Sequence, residues 1–218
     1  MTMNVFPAFA VPMAETFHPE PAALNAALIR LILALEAQGA GYRNPDPVVH
    51  QPQGLFESGF EFFARDEACV QALRAWVWSA LGDFMRDINP SLAAGTKGLQ
   101  IASHTWFHVT RDGGYFGYHN HPMASWSGVY CVADGDPSPE FSNNGCLVFP
   151  HPQVATSMFL DAANATLRWP FSHGNFVLSL KPGQLVLFPS WLGHYVTPFH
   201  GSGQRITVAF NAWFSRDD

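Results

Sequence analysis

Apolar residues recur at Leu24, Leu28, Leu31 and Leu35 in PAALNAALIRLILALEAQG, a spacing of three and four that lines one stripe of an α-helix. Pro21 suits the first helical turn, where its missing N–H has no intrahelical partner to lose, and Gly39 marks the end. Val70, Leu73, Val77, Leu81, Phe84 and Ile88 form a second stripe, which predicts a helix from about Asp66, read as its N-cap, to Ile88 before the Asn89-Pro90 stop. The intervening GYRNPDPVVHQPQG is rich in Pro and Gly and reads as loop. After Gly98 the apolar period falls from 3.6 to 2, in LQIASHTWFHVT, WSGVYCVA, GCLVFP, NFVLSL, QLVLFP and RITVAFNAWF, each bounded by turn residues.

Helices followed by a run of strands predict an α+β fold, with the helices backing a mostly antiparallel sheet. No strand-helix-strand alternation appears, which disfavours a doubly wound sheet. The expected architecture is a double-stranded β-helix, or jelly roll, over residues 99–218 with helical support from residues 1–98, all in one domain. Lys181-Pro182-Gly183 between NFVLSL and QLVLFP reads as a hairpin turn, since Pro presets one central turn residue and Gly accepts a positive φ at the next. GCLVFP and GQLVLFP look alike, but two short matches make no repeat.

Composition sharpens this picture. Only 13% of the residues are charged, and 19 Phe and 7 Trp point to much buried strand. A net charge of -6 without a Lys/Arg cluster argues against a nucleic-acid backbone or an anionic membrane as main partner; a small-molecule or peptide substrate and a modified nucleotide all stay open. The three cysteines, Cys69, Cys131 and Cys146, have no CxxC spacing, which fits a reducing compartment, by default the cytoplasm. The N-terminus lacks a basic start followed by an apolar run, and no segment reaches the roughly 20 apolar residues of a membrane span, so a soluble chain is expected.

Candidate chemistry begins at YHNHPMASWS. In a strand, positions i and i+2 share a face, so His119 and His121 can converge while Asn120 points away. Two imidazoles so placed suit cis positions on Fe, Zn, Cu or Ni, and equally suit hydrogen-bonded rim histidines. FPSWLGHYVTPFHGSGQRITVAFN adds His194 at a strand end, then Arg205 and Thr207 on one face of the last strand, opposite Ile206, Val208, Phe210 and Phe214. A guanidinium and a hydroxyl two residues apart can bind a carboxylate by several charge-assisted hydrogen bonds; an exposed or acid-paired arginine is the plain alternative.

Together HNHPMASWSGVYC and GQLVLFPSWLGHYVTPFHGSGQRITVAFN resemble the iron(II)- and 2-oxoglutarate-dependent oxygenases, over roughly Thr105 to Phe214. The likeness is closest to a branch with HxHP...SGVYY-like and FPSWLxH...RIxxxFN segments. It implies iron ligation by His119, His121 and His194, and pairing of Arg205, helped by Thr207, with the distal carboxylate of 2-oxoglutarate. Tyr130 on the SGVYC strand is assigned a further hydrogen bond to that cosubstrate. The implied reaction consumes 2-oxoglutarate and dioxygen, hydroxylates a substrate carbon and releases succinate and carbon dioxide.

The superfamily's commonest triad has Asp or Glu where this chain has His121, and that exchange removes one negative charge from the metal unless surrounding groups compensate. Asp112, Asp134 and Asp136 lack the same-face spacing to replace it. Two other readings stay open: a cupin-like metal-binding jelly roll that uses no keto acid, and a non-catalytic binding protein. Arg205 with Thr207 is the feature that separates the cupin-like reading from an oxygenase. His104 and His108 share a strand face with Trp106, where a second metal site is the minor alternative to a structural role, and His151 and His200 read as loop residues.

Overall fold

Strands with period-2 alternation on both faces need two partners, one layer for each side. A computed structural model, describing residues 3–92 and 99–216, supplies both. In chain order the elements are β1 (Ala14–Phe17), α1 (Pro21–Glu36), β2 (Leu55–Glu57), α2 (Ala68–Ile88), β3 (Leu99–Thr110), β4 (Phe116–His119), β5 (Trp126–Ala133), β6 (Leu147–Phe149), β7 (Phe176–Leu178), β8 (Gln184–Pro189), β9 (His194–Val196) and β10 (Arg205–Arg216). Six strands form one sheet in the order β1-β8-β5-β10-β3-β2, and four form a second in the order β4-β9-β6-β7. Every pairing between these strands is antiparallel, and the two sheets make a jelly roll. The change of period at Gly98 lies outside the described residues.

The helices cover the outer face of the six-stranded sheet. Val70, Leu73, Val77, Leu81 and Phe84 of α2 are buried as their stripe predicts, against Phe107, Tyr130, Leu185, Val208 and Phe210. Each such side chain contributes roughly 1.5–3 kcal/mol on full burial. Glu67, not Asp66, stands at the N-cap, and Met85 takes the buried place expected of Ile88. On α1 the innermost line is Asn25, Leu28, Ile32 and Leu35, with Leu24 and Leu31 flanking it. The predicted stripe is thus rotated by one position, because Asn25 has a partner beneath it in β5.

A second apolar cluster, with Cys131, Leu147, Phe149, Val186 and Phe188 among its members, fills the space between the sheets. The N-terminal 98 residues give more than helical support, since β1 and β2 are the edge strands of the large sheet. Lys181-Pro182-Gly183 does turn, with the Gln184 N–H donating to the Lys181 carbonyl at 2.9 Å and Gly183 at φ +90°. It is not a hairpin, however. It joins β7 of the small sheet to β8 of the large one, a corner of the roll, because β8 finds its neighbours in β1 and β5. No helix among the described residues is long and apolar enough to cross a membrane.

Candidate metal centre

Strands β4 and β9 are neighbours in the small sheet, and their register sets His119 directly opposite His194. His121 lies two residues beyond the end of β4, where its backbone N–H donates to the Ser190 carbonyl at 2.8 Å and its own carbonyl accepts from Ala124 at 3.0 Å. Those bonds hold the departing chain against the β8–β9 turn and bring the third imidazole to the other two. One nitrogen of each of His119, His121 and His194 lies within 4.8 Å of the others. The expected continuous strand through His121 is absent, yet the same-side placement survives.

The ring orientations are fixed locally. His119 donates Nδ1–H to the Gly117 carbonyl at 2.8 Å, and His194 donates Nδ1–H to the Leu192 carbonyl at 2.9 Å. A carbonyl only accepts, so each Nδ1 carries the proton and each Nε2 keeps its lone pair. Burial lowers the affinity of all three rings for a second proton, bringing His121 and His194 to about 3 and His119 down by a smaller margin. Crowding by the neighbouring imidazoles adds to this at His121 and His194. Three neutral nitrogen donors in one cluster at the edge of a cavity fit a divalent first-row metal such as iron(II).

The cavity beside the cluster is walled by β3, β5, β8 and β10 of the large sheet. Arg205 and Thr207, on one face of β10 as predicted, both line it and are 5% and 2% exposed. Among the described residues the Arg205 guanidinium forms no ion pair, and burial lowers its pKa, with only Cys131, Cys146 and Asp134 pulling the other way. Gly145 opens space for it: at φ +61°, a Cβ there would stand 3.2 Å from Arg205 Cδ and 3.0 Å from the Phe199 ring. Apolar side chains, including Val129, Phe188 and Val196, complete a largely dry wall.

Tyr130 does not belong to this cavity. Thr207 pairs in register with Cys131, so Cys131 and Val129 share the inner face while Tyr130, opposite Val208, faces the helices. Its hydroxyl donates to Asn25 Oδ1 at 2.7 Å, and its ring meets Trp76 edge-on. The assignment of Tyr130 to the cosubstrate is therefore corrected. Asp112 accepts from His200 and Asp136 from Ser202, so neither reaches the histidine cluster.

Sequence reasoning missed one buried group. Glu57, 4% exposed in β2, pairs in register with His108 of β3, and its Oε2 meets His108 Nε2 at 2.9 Å. Its Oε1 accepts from Asn44 Nδ2 at 2.5 Å and Gln51 Nε2 at 3.1 Å. Burial raises its pKa, but the hydrogen bonds to His108 and Asn44 outweigh that and leave it lowered. His108 lines the cavity, whereas His104 packs on Trp213 and Phe60 outside it. Nothing in the sequence signals Glu57, because β2 is three residues long in a loop-like stretch.

A family model described as "Putative 2OG-Fe(II) oxygenase" matches residues 104–211. No curated protein matches the chain. Among solved structures, a prolyl-4-hydroxylase from Pseudomonas putida is similar at 18% identity and TM-score 0.59, covering 95% of this chain and 94% of its own. A Trichoplax adhaerens prolyl hydroxylase, in complex with a hypoxia inducible factor oxygen degradation domain peptide, follows at 13% identity and TM-score 0.56, covering 92% and 83%. HygX from Streptomyces hygroscopicus, with nickel, 2-oxoglutarate and hygromycin B bound, has 11% identity and TM-score 0.55, covering 93% and 82%. These likenesses support the jelly roll, while the family match spans His119, His121, His194, Arg205 and Thr207 together. Residues 104–211, which carry the whole candidate centre, belong to the 2OG-Fe(II) oxygenase family.

Proposed function

We propose that the protein hydroxylates a carbon of a small-molecule or peptide substrate, with dioxygen as oxidant and 2-oxoglutarate converted to succinate and carbon dioxide. His119, His121 and His194 hold iron(II) through Nε2 of His119 and His194 and a ring nitrogen of His121. The bound iron supplies the oxidising chemistry. The observation that carries this reading is Arg205: a fully buried guanidinium at the cavity wall, with no carboxylate in ion-pair reach among the described residues, calls for an anionic ligand. A dicarboxylate keto acid fits, one end on Arg205 with the Thr207 hydroxyl beside it and the other toward the histidines. HygX, which shares the fold, is a protein with nickel and 2-oxoglutarate bound, and that supports the reading.

The rest of the wall keeps the reaction dry and oriented. Val129, Leu147, Phe188 and Val196 exclude water between Arg205 and the histidines, which strengthens each charged contact there. The Trp106 indole N–H, buried without a hydrogen-bond partner among the described residues, offers a donor beside His121, whose ring centroid is 5.7 Å from its own. We place the whole chain in one oxygenase domain. Its free cysteines, two of them buried, suit the reducing cytoplasm.

The test is 2-oxoglutarate binding to Co(II)-loaded protein by calorimetry. Arg205→Ala should leave Co(II) uptake intact and weaken 2-oxoglutarate by about 100-fold, in line with a charged contact of about 3 kcal/mol. Equal loss of metal and keto acid in that variant would contradict the assignment of Arg205.

A further inference from the structure

Three neutral imidazoles bring no negative charge to a dication. Among the described residues Glu57 is the one fully buried carboxylate, and it lies one side chain from the cavity that those imidazoles border. Glu57, His108 and Thr207 form a transverse row across β2, β3 and β10, each the register partner of the next. The row therefore faces the inner side of the sheet together. His108 leads on toward the metal cluster: its ring lies 4.9 Å from Phe116, which lies 4.7 Å from His119.

The Glu57 carboxylate accepts from Asn44 Nδ2 and Gln51 Nε2 at one oxygen and meets His108 Nε2 at the other. These hydrogen bonds favour the ionised carboxylate over the protonated acid, against the burial that opposes it. Such a buried anion is costly unless positive charge stands near it. The two arginines nearest in sequence are engaged elsewhere: Arg65 pairs with Glu67, and Arg43 hydrogen-bonds to Gln51 and the Leu55 carbonyl.

We infer that Glu57, acting through His108, supplies the negative charge that stabilises a divalent metal on His119, His121 and His194. Glu57 is a positioning residue in this role. It touches neither metal nor substrate, and it sets the charge of the wall while holding the His108 ring in place. This inference rests on the metal-binding reading above. It goes further by naming a carboxylate outside the ligand set as part of the centre's affinity.

The experiment is Co(II) titration of metal-free protein by calorimetry, with thermal melts of each metal-free variant beside it. Glu57→Gln should weaken Co(II) binding by about 10- to 100-fold, the usual range for a group that supports metal ligands. Glu57→Asp, which keeps the charge, should hold most of the affinity. Because a carboxylate in the ligand set would replace what Glu57 provides, E57Q/H121D should return near wild-type affinity. Unchanged Co(II) affinity in Glu57→Gln would overturn the inference. So would an equal loss in Glu57→Gln and Glu57→Asp, or a Glu57→Gln loss of the same size with and without His121→Asp, since either marks a role in shape alone. Wild-type protein that takes up no Co(II) would overturn the metal reading itself, and this inference with it.

Discussion

His119 and His194 face each other across the β4–β9 pair with ring centroids 4.3 Å apart, and each donates Nδ1–H to the carbonyl two residues before it. The two strands thus present matched Nε2 lone pairs before any metal arrives. Removing either ring should cost the metal rather than the fold. His194→Ala is expected to lower Co(II) affinity by two orders of magnitude or more, read by calorimetry, while the metal-free protein still melts cooperatively. A variant that binds Co(II) like wild type would mean that His194 is no ligand.

The same burial makes metal-free stability depend on pH. His121 and His194 hold their second proton only near 3 in the folded protein, against 6.5 for an ordinary histidine, while the unfolded chain takes it up at the ordinary value. Between those values the unfolded state binds more protons, so stability is full above about 6.5 and falls as pH drops toward 3. Each ring contributes a slope of up to about 1.4 kcal/mol per pH unit. Thermal melts between pH 7.5 and 5, above the range where carboxylates titrate, should show this fall, and His194→Gln should flatten it. A slope unchanged in His194→Gln would contradict the assignment.

Tyr130→Phe separates the sequence reading from the structure. The Tyr130 hydroxyl donates to the buried Asn25 Oδ1 on the helix side of β5, so its loss leaves an unsatisfied acceptor there. A cost of about 1–3 kcal/mol in chemical denaturation is expected. The Kd for 2-oxoglutarate should not change, and a clear rise in it would restore Tyr130 to the cosubstrate site.

Gly145→Ala probes the space around Arg205. The left-handed backbone at φ +61° costs a residue with a Cβ roughly 1–2 kcal/mol, and the new methyl would press on Arg205 Cδ and Phe199. Weaker 2-oxoglutarate binding with unchanged Co(II) affinity is expected from calorimetry.

Much of this centre is legible in the chain because its parts repeat a local rule. Alternation places Arg205 and Thr207 on one face whatever the strands pair with, whereas His121 lies beyond the end of β4 and reaches His119 through its bond to Ser190. What local patterns leave open is which strand lies next to which. Tyr130 fell on the wrong side because its inner or outer sense follows from the β5–β10 register, a contact between residues some eighty positions apart. Lys181-Pro182-Gly183 shows the same limit: turn chemistry reads correctly, but whether the strands it joins share a sheet is decided by β1 and β5. Glu57 was invisible for a further reason, since only its pairing with His108 buries it and turns it toward the metal cluster.

The central claim is that iron and a keto acid meet between the three histidines and Arg205. Its most direct test is an anaerobic titration of metal-free protein with iron(II) and then 2-oxoglutarate, followed by visible absorption. A weak charge-transfer band that grows to one equivalent of keto acid in wild type, and is lost at the same concentration in Arg205→Ala, is the predicted result. Iron-loaded, folded wild-type protein that shows no such band would contradict the account.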